Sequence, residues 1–220
     1  MAIAFDATST VDQCAVTSTT LAHTCTGDDR ALLVGVNGGP ATSLTDSVTY
    51  NSVSMTKQVE STVTDSDQNV SLWFLNNPAS GANNIVATYS ASNSPSVRGI
   101  SYTGVLGTIP DAFTNNNQLQ NVTTITTSVT TVDDNCWTFV FARANQTISA
   151  GAGTTMRHAG AFRGADSNAA LTHAGSKSLE TTTGTSTAYF LHHMISLSPL
   201  ADPVVARSRP RLLTLMGVGT

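Results

Sequence analysis

Between Asn69 and Ser90 the chain reads NVSLWFLNNPASGANNIVATYS, two alternating segments around a polar centre. Val70, Leu72 and Phe74 fall on one side of an extended segment and Ser71, Trp73 and Leu75 on the other, the period of two of a pleated strand. Asn76-Asn77-Pro78 stops it, because proline has no N–H for a ladder and disfavours helix in the residue before it. Gly81 and Asn83-Asn84 tolerate positive φ, and Ile85, Ala87 and Tyr89 resume the alternation, so the segment predicts an antiparallel hairpin.

The same reading extends along the chain. Ile3 to Thr8 and Ser18 to Thr26 alternate weakly, separated by a polar turn, and Gly27-Asp28-Asp29 marks another turn. ALLVGV, from Ala31 to Val36, is a short unbroken apolar run close to Gly38-Gly39-Pro40, which predicts a central strand covered on both faces. VTYNSVSM, from Val48 to Met55, predicts a tight hairpin with Asn51-Ser52 at its tip, and the polar stretch Ser61 to Gln68 leads into the next strand. Val97 to Val105 places Ile100 and Tyr102 on one face, whereas Asn115-Asn116-Asn117 predicts a surface loop. Val122 to Thr131 is β-biased but light in apolar weight, as in an edge strand.

CWTFVFAR, from Cys136, sets Trp137, Phe139 and Phe141 on a core face. Thr154 to Phe162 and Ala169 to His173 predict weaker strands around a turn at Gly164-Ala165-Asp166. STAYFLHHMISLS, from Ser186, closes the body, with a bulge expected at His192-His193 because its apolar positions do not keep one phase. No internal repeat is evident in the residues. The total, about eleven to thirteen short strands, predicts an all-β antiparallel sandwich over residues 1–198.

Composition sharpens this. Charged residues are 11% of the chain, against roughly 25% in typical soluble proteins. Thr, Ser, Asn and Gly fill the gap, a mixture of strand and turn formers. The net charge of −4 argues against a nucleic-acid binder, which needs a concentrated basic surface. No signal-peptide pattern opens the chain and no segment approaches the ~18 apolar residues of a helical membrane span, so a soluble, unprocessed chain is expected. Cys14, Cys25 and Cys136 have no metal-ligand spacing and are expected as buried free thiols, with a Cys14–Cys25 bridge as the other reading.

Candidate chemistry is sparse. His192 and His193 are neighbours, but adjacent strand residues point to opposite faces, so their imidazoles diverge rather than share a metal. Asp65, Asp67 and Gln68 lack the glycine and bidentate Glu of a calcium loop, while Asp28-Asp29 and Asp133-Asp134 suit turns. Glu60 and Glu180 are the two glutamates, and no GxSxG elbow exists, so neither a catalytic residue nor a cofactor is expected. The sequons at Asn69, Asn121 and Asn145 are chance matches in an Asn- and Thr-rich chain. An outward Trp73 would offer a sugar a stacking face; burial in a second packed layer is the favoured reading.

The order of LLVGV, VTYNSVSMT, SLWFLNNPASGANNIVATYS, ISYTGV and FLHHMISLSP over residues 3–198 resembles jelly-roll domains of bacteriophage virion proteins, namely capsid decoration (cement) and fibre domains. That resemblance implies a structural protein made in the host cytoplasm and carried in the virion, with the major capsid protein or neighbouring decoration subunits as partners. A carbohydrate-binding adhesin or fibre domain, with a glycan held near Asn115–Asn117 or by Trp73, is the alternative. No functional residue carries over, because the likeness is one of strands and turns.

Residues 199–220 differ from the body. Arg207, Arg209 and Arg211 against Asp202 give this segment +2, leaving −6 for residues 1–198. Pro199, Pro203 and Pro210 oppose regular structure, while Leu212, Leu213, Leu215 and Met216 form an apolar run. A docking arm is expected, in which Val204, Val205, Arg207, Arg209, Arg211 and that apolar run lie across a neighbouring subunit, a trimer being the favoured homo-oligomer. Docking on its own domain is the competing reading. Loss of oligomers on deleting residues 203–220 would favour the neighbour; unchanged oligomers with lower monomer stability would favour self-docking.

Overall fold

The computed structural model describes residues 2–107, 110–118 and 121–200, and among these it is all-β, with no α-helix. The first half of the chain contains β1 (Ala4–Asp12), β2 (Val16–Cys25), β3 (Ala31–Gly38), β4 (Thr45–Tyr50), β5 (Val53–Ser54), β6 (Thr56–Val63), β7 (Gln68–Asn76), β8 (Gly81–Asn93) and β9 (Ser96–Thr103). The second contains β10 (Ala112–Gln118), β11 (Val122–Thr131), β12 (Trp137–Ala144), β13 (Ile148–Ala150), β14 (Thr155–Met156), β15 (Phe162–Asp166), β16 (Gly175–Thr187) and β17 (Phe190–Leu197).

Every pairing is antiparallel, and the strands form four sheets. Their orders are β2-β8-β4-β5, β1-β9-β3-β7-β6, β10-β17-β12-β15-β14 and β11-β16-β13. The two five-stranded sheets face one another across one core, formed by Leu33, Leu72, Phe74, Ile100 and Tyr102 from the first half with Trp137, Phe139, Phe141, Phe162 and Ile195 from the second. Their other faces are covered by the remaining two sheets. Leu32, Val34, Val36, Trp73 and Val97 pack against Leu21, Ile85, Ala87 and Tyr89 on one side. Val140, Ala142, Phe190 and Met194 pack against Ile125, Val129 and Leu179 on the other. The antiparallel β-sandwich is therefore doubled into a stack of four layers.

This explains why ALLVGV has no polar alternation. All of β3 is buried, with Leu33 facing the central core and Leu32, Val34 and Val36 the outer one. In β12, Trp137, Phe139 and Phe141 face the centre as expected. The outer strands keep the half-buried alternation of a sheet with one wet face: β2 and β11 share an identical order of buried and exposed positions.

That identity is part of a duplication that residue comparison does not reveal. A constant shift brings Val16 onto Val122, Cys25 onto Thr131 and Gly35 onto Phe141, and it superposes two left-handed turn residues, Asp29 (φ 50°) and Asn135 (φ 62°). Sheet order corresponds strand for strand, β1-β9-β3-β7-β6 with β10-β17-β12-β15-β14. Across the centre β7 meets β17 and β9 meets β15, one contact seen twice with the partners exchanged, as a two-fold relation requires. On its axis lie the equivalent residues Gly35 and Phe141. A Cβ at Gly35 would sit 2.7 Å from Phe141 Cγ and Cδ1, which is inside contact distance. Gly35→Ala is expected to destabilise the fold by about 1–3 kcal/mol through overpacking, seen as a lower urea midpoint with an unchanged slope.

The structure corrects several local expectations. β7 and β8 do not pair: β7 joins β3 and β6, whereas β8 joins β2 and β4 in another layer. The residues between them form an arch, with Asn77 in the left-handed region (φ 45°). Asn115–Asn117 lie in edge strand β10 rather than in a loop, where Asn116 Nδ2 donates to Thr126 O (2.9 Å) and Asn117 Nδ2 to Ser61 Oγ (3.0 Å). Gly164-Ala165-Asp166 belongs to β15, and β17 pairs on both sides without a bulge at His192-His193. The hairpin tip at Asn51-Ser52 is as expected, with φ of 48° and 64°. All three thiols are free, Cys25 and Cys136 buried but Cys14 exposed.

Candidate functional site

The buried polar groups gather where the layers meet. Tyr102 Oη donates to Asp166 Oδ2 (2.7 Å) across the central core. Arg157 donates to the same carboxylate through Nε (2.7 Å) and Nη2 (2.9 Å), and Asn168 N–H adds a third donor at 3.0 Å. Asp166 is fully buried, and the Arg157 guanidinium also lies 4.3 Å from the Phe5 ring centre. Burial, with the Asp166 charge beside it, pushes the Tyr102 hydroxyl well above its usual range, so it remains a donor. Asp166 stands where the first half has Phe74: a charge replaces an aromatic ring and receives donors from both halves.

His158 bridges the halves as well. Gly164 N–H donates to Nδ1 (3.2 Å), which leaves Nε2–H to donate to Gly99 O (3.1 Å), a fixed neutral tautomer. His192 and His193 point to opposite faces, as adjacent strand residues must. His192 lies between the hydroxyls of Thr127 (2.9 Å) and Thr181 (2.5 Å) under the outer sheet, while His193 Nε2 meets Ser61 Oγ (2.9 Å) at the centre. Burial holds both at about 3 and His158 at about 4. No group of three potential metal ligands occurs among the described residues.

A relay that spacing did not suggest joins Ser9, His23, Ser101 and Asp6. Ser9 Oγ lies 2.8 Å from His23 Nδ1, His23 Nε2 lies 3.1 Å from Ser101 Oγ, and Ser101 Oγ donates to Asp6 Oδ2 (2.7 Å). Burial lowers His23 to about 4 against the opposing charge of Asp6. Burial raises Asp6, yet donors from Thr26 and Ser101 outweigh it and leave the carboxyl below its usual value. A histidine held near 4 is a weak general base, whose ideal pKa lies near the working pH. What the relay provides on this geometry is a partner for every buried polar atom along it. Its residues come from three strands, β1, β2 and β9, so register rather than motif assembles them.

Trp73 does not face solvent. It is 4% exposed, packed in the core between the first two layers, with Nε1 donating to Ser71 Oγ (2.9 Å) and Lys57 Nζ 5.0 Å from the ring centre. This is the packed second layer favoured for it, and the ring offers no stacking face. Asp67 Oδ1 accepts from Ala41 N–H (2.7 Å) in a tight turn, and the Asp65 side chain lies outside the described set. The arm residues Val204, Val205, Arg207, Arg209, Arg211, Leu212, Leu213, Leu215 and Met216 also lie outside the described residues.

What the stack presents outward is two sheet faces on opposite sides. β2 exposes Thr17, Ser18, Thr20, Ala22 and Thr24, and β11 exposes Thr123, Thr124, Thr126, Ser128 and Thr130. Cross-strand hydroxyl pairs tie these faces, Ser47 with Thr88 (2.6 Å) on one and Ser128 with Ser178 (2.7 Å) on the other. Comparison of the chain with protein-family models, curated proteins and solved structures found no match.

Proposed function

We propose that the chain is a virion structural protein, a capsid decoration or cement protein of the jelly-roll type, which spans neighbouring shell subunits and stiffens their contacts. The observation that supports this reading is the pair of outer faces: two hydroxyl-lined sheets, poor in charge, held back to back by one central core. A face of short hydroxyls costs less to desolvate than a charged one and little side-chain entropy to immobilise, so it suits broad, shallow contact. Such contacts are individually weak. Repetition by the symmetry of a shell turns them into firm attachment, because each bound face raises the effective concentration of the next.

The test is quantitative proteomics of particles purified from a virus-producing culture that carries this sequence. The reading expects the chain in purified particles, in many copies and at a fixed ratio to the major shell protein. Its absence from particles, with the chain left in the soluble lysate, would overturn the assignment.

A further inference from the structure

We propose that a groove on the outer face of the first half is a binding site for a neutral glycan. The groove has a volume of about 410 Å³, at the lower end of the roughly 300–1,000 Å³ of small-molecule sites and suited to one or two sugar rings. On the outward face of β2 and β8 its floor carries the short side chains of Ala22, Ala82 and Val86 with Asn84 between them, and Thr49, Asn51, Ser52 and Asn83 complete the lining. The β4–β5 turn forms one wall and is tied to the sheet by Asn51 N–H donating to Asn84 O (3.1 Å).

Three features set the ligand class. The lining carries no ionisable side chain, which disfavours phosphates, carboxylates and amines, since these need a charged partner when desolvated. Among the described residues the side-chain amides of Asn51 and Asn84 and the Ser52 hydroxyl have no hydrogen-bond partner within the chain, so their donors and acceptors remain for a ligand. An Asn amide offers a donor and an acceptor side by side, which matches neighbouring hydroxyls on a sugar ring. The small apolar floor admits the C–H face of such a ring.

The duplicated half supplies an internal control. By register, Ser128, Ser178 and Glu180 stand where the groove has Ala22, Asn84 and Val86. The strand corresponding to β4 ends at Ala150, the equivalent of Val48, and the chain turns away at Gly151 before any hairpin tip. One half thus carries the wall, the amides and the apolar floor, and the other carries none of them. This assignment does not depend on the virion reading, and either can fail alone.

Amide NMR titration of the full chain with neutral methyl glycosides of glucose, galactose, mannose and N-acetylglucosamine tests it. At least one is expected to bind with a Kd of roughly 1–10 mM and to shift Asn51, Ser52, Asn83 and Asn84. Asn84→Ala, at an exposed position, is expected to weaken that binding about tenfold, the worth of one hydrogen bond. Ala22→Leu is expected to abolish it by filling the floor, and Ser178→Ala in the other half to leave it unchanged. The amide spectrum of each variant reports its folding. No shifts with any glycoside, shifts confined to other residues, an unchanged Kd in both groove variants, or tighter binding of glucose 6-phosphate than of methyl glucoside would each overturn the proposal.

Discussion

Asp166→Ala is expected to cost about 3–5 kcal/mol. The change removes one carboxylate but strands three donors, the Arg157 guanidinium, the Tyr102 hydroxyl and the Asn168 N–H. An uncompensated buried charge accounts for most of the loss, and for that reason a second substitution is informative. Replacing both partners by apolar residues, as in Asp166→Leu with Arg157→Met, is expected to recover much of the stability, because it removes the desolvated ion with its counter-ion. Urea denaturation of the single and double variants measures both. A single-variant loss below about 1 kcal/mol would show that the Asp166 carboxylate, with its Tyr102 contact, does not hold the two inner sheets together.

Acid is expected to unfold the protein between about pH 5 and pH 4, at the upper edge of the range in which carboxylates alone would act. His23 and His158 are held at about 4, and His192 and His193 at about 3, against an ordinary value of 6.5, burial being the leading cause in each. A buried imidazole resists protonation in the folded chain but accepts a proton freely once unfolded. The unfolded state therefore binds more protons below pH 6.5, and stability falls as the pH drops from there toward the folded values. Each group contributes about 1.4 kcal/mol per pH unit within that window. Four groups over about two units amount to roughly 10 kcal/mol, the order of an entire folding free energy.

Asp6 acts in the same direction at lower pH, since its depressed folded value gives stability above its unfolded value of 3.8 that is lost on acidification. Far-UV circular dichroism against pH tests the expectation. His193→Gln, which removes one of the titrating groups, is expected to move the midpoint to lower pH while lowering stability at neutrality. A midpoint below about pH 3 in the unaltered chain would mean that these imidazoles are not excluded from water as the structure has them.

The inner strands were legible because their signals are local. The unbroken run in β3 and the aromatic alternation in β12 each follow from which faces are covered. The β7–β8 connection carries the signals of a hairpin because Asn77, Pro78 and Gly81 serve an arch between layers as well as a turn within one. Local sequence carries turn chemistry but not the identity of the sheet that follows. Strand β16 escaped notice because Thr181 and Thr183 occupy its buried positions beside Leu179, so the apolar alternation that marks a strand fades along it. The second packed face favoured for Trp73 is supplied by the outer sheet: a sandwich of two layers would leave one side of β7 wet, and the stack has four.

The duplication was hidden for a related reason. Burial repeats while residue type does not: Leu21 corresponds to Thr127, His23 to Val129, Cys25 to Thr131 and Phe74 to Asp166. The candidate groove was only partly legible. Asn51, Asn83 and Asn84 stand out as turn residues, but their convergence depends on the pairing of β4 with β8.

The unequal pair at the centre limits how this chain can be rebuilt. A tandem of two leading segments would set glycine against glycine where Phe141 now fills the space, opening a void, and a tandem of two trailing segments would force two phenyl rings into room for one. The segments have become complementary rather than interchangeable, so a shuffled copy of either is expected to pair with its native counterpart in preference to itself.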